Sequence, residues 1–595
     1  MLFNNKKFKI IPIAILGLSL IYLAGCRKNL LETTPYTSVS SANMWTTSNL
    51  TDLGIAGVYQ QLRMGYTSGS SSASGRELYQ YNRFVEGQGT DADAFLTGTA
   101  TTANGTVSGV WRDLYEGIFR CNDAIDNLAN VSPSPDSVKA RYTAEMKFLR
   151  AYFYFRLNQL FKGVPIYLDP RNTSDLLRAR NTEAEVWTQV IKDLTDAVGE
   201  PYLPAKYAKG NSSFGHATKG AAYALRGKAY MYQQDWANAI ADFQNVKNSG
   251  YALFGGTYRD LFLEANEQSD ECIFSIQYLP VDGYGSNTQF YCGTRSSFGS
   301  CWNSYVISPN LVEAYENADG SPFNWDTYIP GYSSKTIAQR EVYFLRNNLT
   351  DAEKSAATTR GADMTQYLPT GNEARILTAF AKRDPRLAAN VITPYSTYLG
   401  RNINGADQTF TVRWPFRNEL PPTLDLLTDT RSYLYYLHRK FVYTGTTQLP
   451  NRTSGGIDFP IIRYADVLLL WAEALNEQGN TSSAIPLVNQ VRARAGVGLL
   501  NSSSATTVAG QDDLRKRIRH ERLVEFPNEG ISFFDEMRWK TWKDDVFFTG
   551  NGIKQAWGTV TVPYVWLGDQ VYTWPIPLTE RQNNPSLTQN TGWID

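Results

Sequence analysis

The sequence predicts a mainly α-helical protein in which tetratricopeptide-like helical hairpins support a large, irregular, loop-rich region with a few short strands. Three observations predict it. Residues 461–496 read as two helices broken at Gly479 and Asn480. Tyr464, Leu468, Trp471 and Leu475 recur at helical spacing in the first, and Ile485, Leu487, Val488 and Val491 line the second. Residues 219–250 repeat this plan, with Ala222, Leu225, Gly227, Ala229 and Tyr230 followed by Trp236, Ala239, Ile240 and Phe243. A paired unit of about 34 residues with small residues at the helix contact is the tetratricopeptide pattern. Third, between 251 and 457 the helical period weakens while Gly, Asn, Thr, Tyr and Pro rise. An irregular region of that length is more often functional than linker.

The start of the chain carries an address rather than a fold. Lys6, Lys7 and Lys9 precede an apolar run, 10–25, that is short for a membrane span. A basic start, an apolar middle and small residues at the end describe an export signal. Its ending, Leu23-Ala24-Gly25-Cys26, resembles a bacterial lipobox, in which the peptide is cut before a cysteine that is then acylated. The mature chain is thus expected to be anchored to a membrane at Cys26 rather than to span it. Arg27 follows the cysteine where an inner-membrane retention signal carries aspartate, which favours the outer membrane. Residues 27–40 read as a polar tether.

Helices are expected at 48–63, along the stripe Trp111, Tyr115, Ile118 and Cys121, at 142–161 and at 186–198. The Gly/Ser loop at 65–75 lacks the Walker spacing and its lysine, so it is not read as a phosphate cradle. Residues 272–278 are a candidate strand, and helices resume at 460–496 and 511–526. These readings divide the chain into an export signal (1–25), a helical-repeat portion (26–255), an irregular insertion (256–457) and a portion that completes the repeats (458–595).

Composition narrows the function. The 57 basic and 57 acidic residues cancel, which argues against nucleic-acid binding driven by phosphate neutralisation. Three histidines, His216, His438 and His520, lie far apart and in no metal-ligating spacing, so no metal or cofactor is expected. No CxxC occurs. Cys292 and Cys301 are close enough to staple a loop in an oxidising compartment; the alternative is two buried thiols. Asp91 and Asp93 lack the spacing of an EF-hand loop. Glu521 and Glu525 lie four apart with Arg519 and Arg522 beside them, and are read as an ion-paired helix face rather than as catalytic carboxylates. Glu473 is expected to pair with a nearby arginine such as Arg463 or Arg492. Trp111, Trp236, Trp471 and Trp539 fall on helical stripes and are expected in the core.

Several stretches, in order along the chain, carry a resemblance. They are LRAYFYFRLNQLFKGVP (149–165), IIRYADVLLLWAEALNE (461–477), LVNQVRARAG (487–496), IRHERLVEFPNEGISFFDEMRW (518–539) and PIPLTERQNNPSLTQNTGW (575–593). Asp384-Pro385-Arg386 and the WxxxYxxI pattern from Trp111 to Ile118 add to them. Together they resemble the SusD/RagB family of outer-membrane lipoproteins from Bacteroidetes. That resemblance implies a helical-repeat scaffold and no catalytic activity. It also implies a partner, a SusC-like TonB-dependent outer-membrane transporter, to which oligosaccharides (or peptides) captured at the cell surface are delivered.

A sugar ring offers C–H patches to an aromatic face and hydroxyls to polar side chains. Exposed rings on loops held by a rigid frame are therefore the expected site. Two stretches fit. Residues 76–104 hold Arg76, Tyr79, Tyr81, Arg83, Asp91 and Asp93. Residues 284–325 hold Tyr284, Asn287, Gln289, Tyr291, Arg295, Trp302, Asn303, Tyr305 and Trp325. Trp302 is the preferred ring, because Ser, Asn and Gly surround it in sequence. Two other readings share the aromatics and helices: a secreted glycosidase of the helical-toroid type, and a repeat scaffold that binds only protein or peptide.

Overall fold

The computed structural model describes residues 43–63, 81–90, 93–170, 176–298, 301–417, 424–428, 433–445 and 451–594. The export signal, Cys26 and the tether lie outside them.

The fold is mainly helical. Helices α1 (Ser48–Gln60), α2 (Gly105–Asn130), α3 (Asp136–Phe161), α4 (Glu183–Gly199), α5 (Lys219–Tyr232) and α6 (Trp236–Asn248) form the first run of repeats. Helices α7 (Tyr464–Glu477), α8 (Thr481–Ala495), α9 (Gln511–Glu525) and α10 (Ser532–Trp539) form the second. Their starts are chemically marked. Thr47, Asn104, Thr182, Thr218 and Asp235 each accept a backbone N–H of the helix they precede, and Thr182 with Glu185 makes a full capping box. Helix α3 begins six residues before the expected 142, because its first turns are polar and lack the periodic signal.

Small residues set the helix approach. A Cβ on Gly117 would lie 2.6 Å from the Phe153 ring, and one on Gly227 would lie 2.6 Å from Phe243. Helix α2 therefore rests directly on α3, and α5 on α6. Helix α7 packs on both α6 and α9, so the two runs of repeats form one stack although some 200 residues separate them in sequence. The excursion leaves and returns through one ladder. Strand β2 (Cys272–Ile276) pairs antiparallel with β4 (Phe459–Arg463), with Cys272 opposite Arg463 and Ile276 opposite Phe459. The segment between them carries short helices and small sheets, among them one of three strands, Thr397–Arg401, Asp407–Thr411 and Leu424–Asp425.

The core differs from expectation in four places. Glu473 pairs with neither Arg463 nor Arg492. Its carboxylate takes two bonds from Arg538, at 2.5 and 2.9 Å, and one from the Trp539 indole N–H at 2.9 Å. Glu521 and Glu525 are ion-paired but fully buried, and their partners come from distant segments: Arg386, Arg463, Arg492 and Arg494. Arg519 instead lies 4.7 Å over the Trp539 ring, and Arg522 pairs with Asp466 and Asp535. Trp111 is buried, whereas Trp236, Trp471 and Trp539 are half-buried at the edge of the packed stripe.

Candidate functional site

The two candidate stretches meet. Strand β1 (Gly87–Gly89) pairs antiparallel with β3 (Tyr305–Ile307), setting Gly87 opposite Ile307 and Gly89 opposite Tyr305. Thr90 N–H extends the contact to the Ser304 carbonyl at 3.0 Å. Gln88 fixes the pair to the C-terminal portion, donating to the Lys554 carbonyl and accepting from Lys554 N–H. The loops that follow β1 and precede β3 thus share one buried footing.

On that footing stands a ledge of rings, Phe290, Tyr291 and Trp302, which reaches Tyr305 of β3; Tyr284 is a second open ring nearby in sequence. Trp302 is 46% exposed and Tyr284 is 52% exposed. The Trp302 N–H donates to the Phe290 carbonyl at 2.7 Å, and its ring lies 4.9 Å from Phe290 and 6.0 Å edge-on from Tyr291. Tyr291 in turn lies 6.1 Å from Tyr305. Phe290 and Tyr291 belong to a single helical turn, Thr288–Cys292. That turn is tied to the neighbouring loop by Gln289, whose Oε1 accepts Tyr443 N–H at 2.6 Å. The Tyr284 ring carries the Arg63 guanidinium at 5.0 Å, and Arg63 Nη1 also donates to the Tyr284 carbonyl. Each ring is seated on another ring or on a guanidinium, which holds it in place.

The other expected site residues sit elsewhere or deeper. Tyr291, Tyr305, Asn287 and Asn303 are buried beneath the ledge. Asn303 donates its amide to the Thr428 carbonyl, which makes it a pin for the loop. Trp325 is 7% exposed, stacked 4.7 Å from Tyr332, with its indole N–H spent on Glu313 at 2.9 Å. Tyr81 is 2% exposed and stacked on Phe533 at 5.5 Å. Neither offers a face to a ligand. Arg295 is half-buried, and its Nε–H has no hydrogen-bond partner among the described residues. Arg76, Tyr79 and Asp91 lie outside the described residues. Asp93 caps the Phe95 N–H at 2.8 Å and faces Arg83 at 3.9 Å. The sequence reading missed Phe290, Arg63 and Arg452, the last with its guanidinium 5.1 Å over the Phe290 ring. Nothing in their local sequence marks them, because their role comes from neighbours far along the chain.

The charges and thiols beneath the ledge are shaped by burial. Glu86, just before β1, is buried, and burial pushes its carboxyl up to about 8 against the opposing pull of the nearby Ser532, Asn528 and Lys440. Cys292 and Cys301 are free thiols, so the loop staple considered from sequence is not formed. Each is engaged separately, Cys292 by the Asn528 amide at 4.0 Å and Cys301 by the Gln289 amide at 3.4 Å. Burial raises both, Cys292 to about 12. Among the described residues no group of His, Cys, Asp and Glu could hold a metal ion.

A separate cleft of about 460 Å³ opens beside α2, lined by Trp111, Tyr115, Phe119, Tyr167, Leu176 and Leu587. Its walls are mainly apolar. Two of its polar groups are already spent, with Tyr115 Oη donating to the Pro165 carbonyl and Asn122 to the Tyr167 carbonyl. It therefore suits a ring edge less well than the ledge does.

Comparison with known proteins bears on the whole chain. Residues 270–593 match the family model described as "SusD family", and residues 30–231 match one described as "Starch-binding associating with outer membrane". A SusD-like protein of Formosa agariphila is 25% identical over 602 residues, covering 98% of this chain and 99% of the relative. The starch-binding protein SusD of Bacteroides thetaiotaomicron is 24% identical, covering 77% of this chain and 74% of its own. Among solved structures, a SusD-like protein from Bacteroides fragilis superposes with a TM-score of 0.71 at 23% identity, over 94% of this chain and 100% of that one. A laminarin-binding SusD-like protein superposes with a TM-score of 0.62 at 21% identity, over 92% of this chain and 100% of that one. At these identities the structural likenesses speak for the fold.

Proposed function

The chain belongs to the SusD family, and from that premise we propose that it is a lipid-anchored protein of the outer membrane, facing the cell exterior, that binds oligosaccharides and passes them to a TonB-dependent transporter of the SusC type. The observation that carries the binding reading is the β1–β3 ladder, which brings two distant loops onto one rigid base, with the half-open Trp302 ring linked through Tyr291 to Tyr305 of that ladder. A preformed aromatic face loses little freedom when a sugar stacks on it. Covering about 100 Å² of such a face is worth roughly 2.5 kcal/mol at 25 cal/mol per Å². The lipobox ending at Cys26 supports the anchor. Among the described residues no helix is long and apolar enough to cross a membrane. The names of the relatives, one starch-binding and one laminarin-binding, support a glycan as ligand.

The competing glycosidase reading needs two carboxylates facing a cleft, about 5–9.5 Å apart. The pair most visible in sequence, Glu521 and Glu525, is buried and saturated by arginines. We therefore read the protein as a binder without hydrolytic activity. The test is a screen of the purified protein against glycans and peptides, with an assay for reducing ends run on the same polysaccharides. Glycan binding without release of reducing ends is the expected result. Release of reducing ends would replace this reading with the glycosidase, and binding to peptides alone would replace it with the protein-binding scaffold.

A further inference from the structure

Asparagine followed by glycine is the pair in which a side-chain amide is most open to attack by the next backbone nitrogen, because glycine has no Cβ to block the approach. The chain holds three such pairs, Asn104-Gly105, Asn404-Gly405 and Asn551-Gly552. The fold treats them differently.

Asn104 caps α2. Its Oδ1 accepts the N–H of Thr106 at 2.9 Å and that of Val107 at 3.3 Å, and Gly105 is already the first residue of the helix. Turning the Asn104 side chain onto the Gly105 nitrogen would strip both bonds from the helix start. Asn551 is 5% exposed. Its Nδ2 donates to the Val546 carbonyl at 2.6 Å, and its Oδ1 accepts from the Asn310 amide at 3.0 Å. Gly552 lies in a strand opposite Pro563, where a Cβ would meet the Val562 carbonyl at 2.2 Å, so its backbone has no room to turn.

Asn404 is exposed at the tip between the strands Thr397–Arg401 and Asp407–Thr411. Asn402, not Asn404, organises that tip. Asn402 Oδ1 accepts the N–H groups of Asn404 and Ala406, both at 3.0 Å, and its carbonyl accepts the Gly405 N–H at 3.1 Å. The side-chain amide of Asn404 takes no part in this set. The bond that engages the Gly405 nitrogen lies on an exposed turn, where local opening costs little.

We propose that Asn404 is a site of spontaneous deamidation, the one of the three Asn-Gly pairs that reacts in the folded protein. The Gly405 backbone nitrogen gives its proton to solvent and bonds to Asn404 Cγ. The Cγ–Nδ2 bond breaks, and Nδ2 leaves as ammonia with a proton from water. The product is a five-membered succinimide. Water then adds to one of its two carbonyls. Addition at Cγ breaks the Cγ–N bond and gives aspartate; addition at the backbone carbonyl breaks the original peptide bond and gives isoaspartate, with the chain running through Cγ. Either product sets a carboxylate beside Arg401, whose guanidinium lies 3.6 Å from the place of a Cβ on Gly405 and 3.6 Å from Asp407. The Arg401 carbonyl accepts the Phe298 N–H at 2.7 Å, so the altered tip adjoins the segment that leads to Trp302.

The full-length protein, purified in detergent, is held native at mildly alkaline pH and at mildly acidic pH, with a third sample unfolded in alkaline urea. Trypsin then releases residues 402–413, NINGADQTFTVR, for tandem mass spectrometry. In the native alkaline sample Asn404 should gain about 1 Da as its amide becomes a carboxyl, and the peptide should accept a methyl group from an isoaspartyl methyltransferase. Mild acid should slow the gain, because the attacking nitrogen must lose a proton. Asn104 and Asn551 should keep their mass in the native protein and gain the same shift in urea. Asn404→Gln should abolish both the shift and the methyl acceptance, since the longer side chain does not close a five-membered ring. An Asn404 that keeps its mass in the native protein while shifting in urea would overturn the proposal. Equal rates at all three asparagines in the native protein would overturn the selectivity assigned to the fold.

Discussion

The guanidinium of Arg463 meets the carboxylate of Glu529 through two parallel bonds, Nε–H to Oε2 at 2.8 Å and Nη2–H to Oε1 at 2.7 Å. Both side chains are buried. Arg463 ends β4 and Glu529 lies in the turn after α9, so the pair joins the ladder that closes the irregular region to the second run of repeats. It is one contact in a larger buried set. Arg463 also reaches Glu271 and Glu525; Arg494 bridges the same two; Arg386 links Asp384, Glu521 and Glu525; Lys440 sits on Glu529 at 2.5 Å. Apart from Glu271 and Lys440, the residues come from the stretches DPR, IIRYAD, VRARAG and RHERLVEFPNEG, those that carry the family resemblance. Charge this deep is tolerated only when fully paired.

Glu529→Gln should therefore destabilise the fold by about 3 kcal/mol, since it leaves Arg463 and Lys440 sharing one neutral amide in a dry site. Urea unfolding followed by tryptophan fluorescence measures it. A midpoint unchanged within error would mean that the network is not under electrostatic load. Glu529 follows Asn528, whose amide reaches Cys292 beneath the ledge, so glycan binding is to be measured on the fraction that remains folded.

The same network sets an acid limit. Coulombic attraction from its arginines overrides burial and holds the Glu525 carboxyl at about 2; Lys228 and Arg522 hold Asp466 at about 2 as well. In the unfolded chain these groups titrate near 4. Folded pKa values below unfolded ones mean stability that is present above about pH 4.5 and lost as pH falls toward 2, on the order of a few kcal/mol per group. Glu86 has the opposite sign. With its folded carboxyl near 8, it keeps a proton that the unfolded chain has already released, so it costs stability as pH rises from about 4.5 to 8. Glu86→Gln should leave stability unchanged at pH 4 and raise it at pH 8. Urea midpoints for both proteins at the two pH values test this, and a uniform shift at both would refute the assignment.

The helices were legible because a buried stripe repeats with the helical period, and α7, α8, α5 and α6 could be placed from that alone. The β1–β3 ladder was not. Gly-Gln-Gly has no alternation to read, and its partner lies more than 200 residues away. The rings show the same limit. Trp325 and Trp302 both have polar sequence neighbours, yet in space Trp325 is packed among Tyr332, Phe344 and Phe380 while Trp302 stands half open. Glu473 found Arg538 rather than Arg463, because Arg463 is already committed to Glu529 and Glu271. Sequence shows which side chains need a partner; only the fold decides which partner is within reach.

Four cysteines follow Cys26, and all four are free in the structure. Disulfide formation needs a thiolate and access. Burial holds Cys272 and Cys292 near 12 and raises Cys121 and Cys301, so none ionises at neutral pH. Mass spectrometry of the unreduced, denatured protein after alkylation should count four modified thiols besides Cys26. In the native protein the buried thiols of Cys121, Cys292 and Cys301 should alkylate only at the rate of unfolding. A count of two would show that Cys292 and Cys301 are joined.

Trp302 and Trp325 provide a contrast that separates binding from folding. Trp302 rests on Phe290 and Tyr291 with nearly half its surface open, so Trp302→Ala should cost about 2 kcal/mol of glycan affinity, roughly thirtyfold, with little change in stability. Trp325 is enclosed by Tyr332 and Phe344, and its N–H is bonded to Glu313. Trp325→Ala should cost about 3–5 kcal/mol of stability through the cavity it leaves. Its effect on affinity, measured on the folded fraction, should be small. Thermal unfolding and glycan titration on the two variants give a two-by-two result. If Trp325→Ala abolished binding in a stable protein, or Trp302→Ala bound every glycan as the parent does, the ledge would be the wrong surface and the cleft beside Trp111 would be the next to examine by Phe119→Ala.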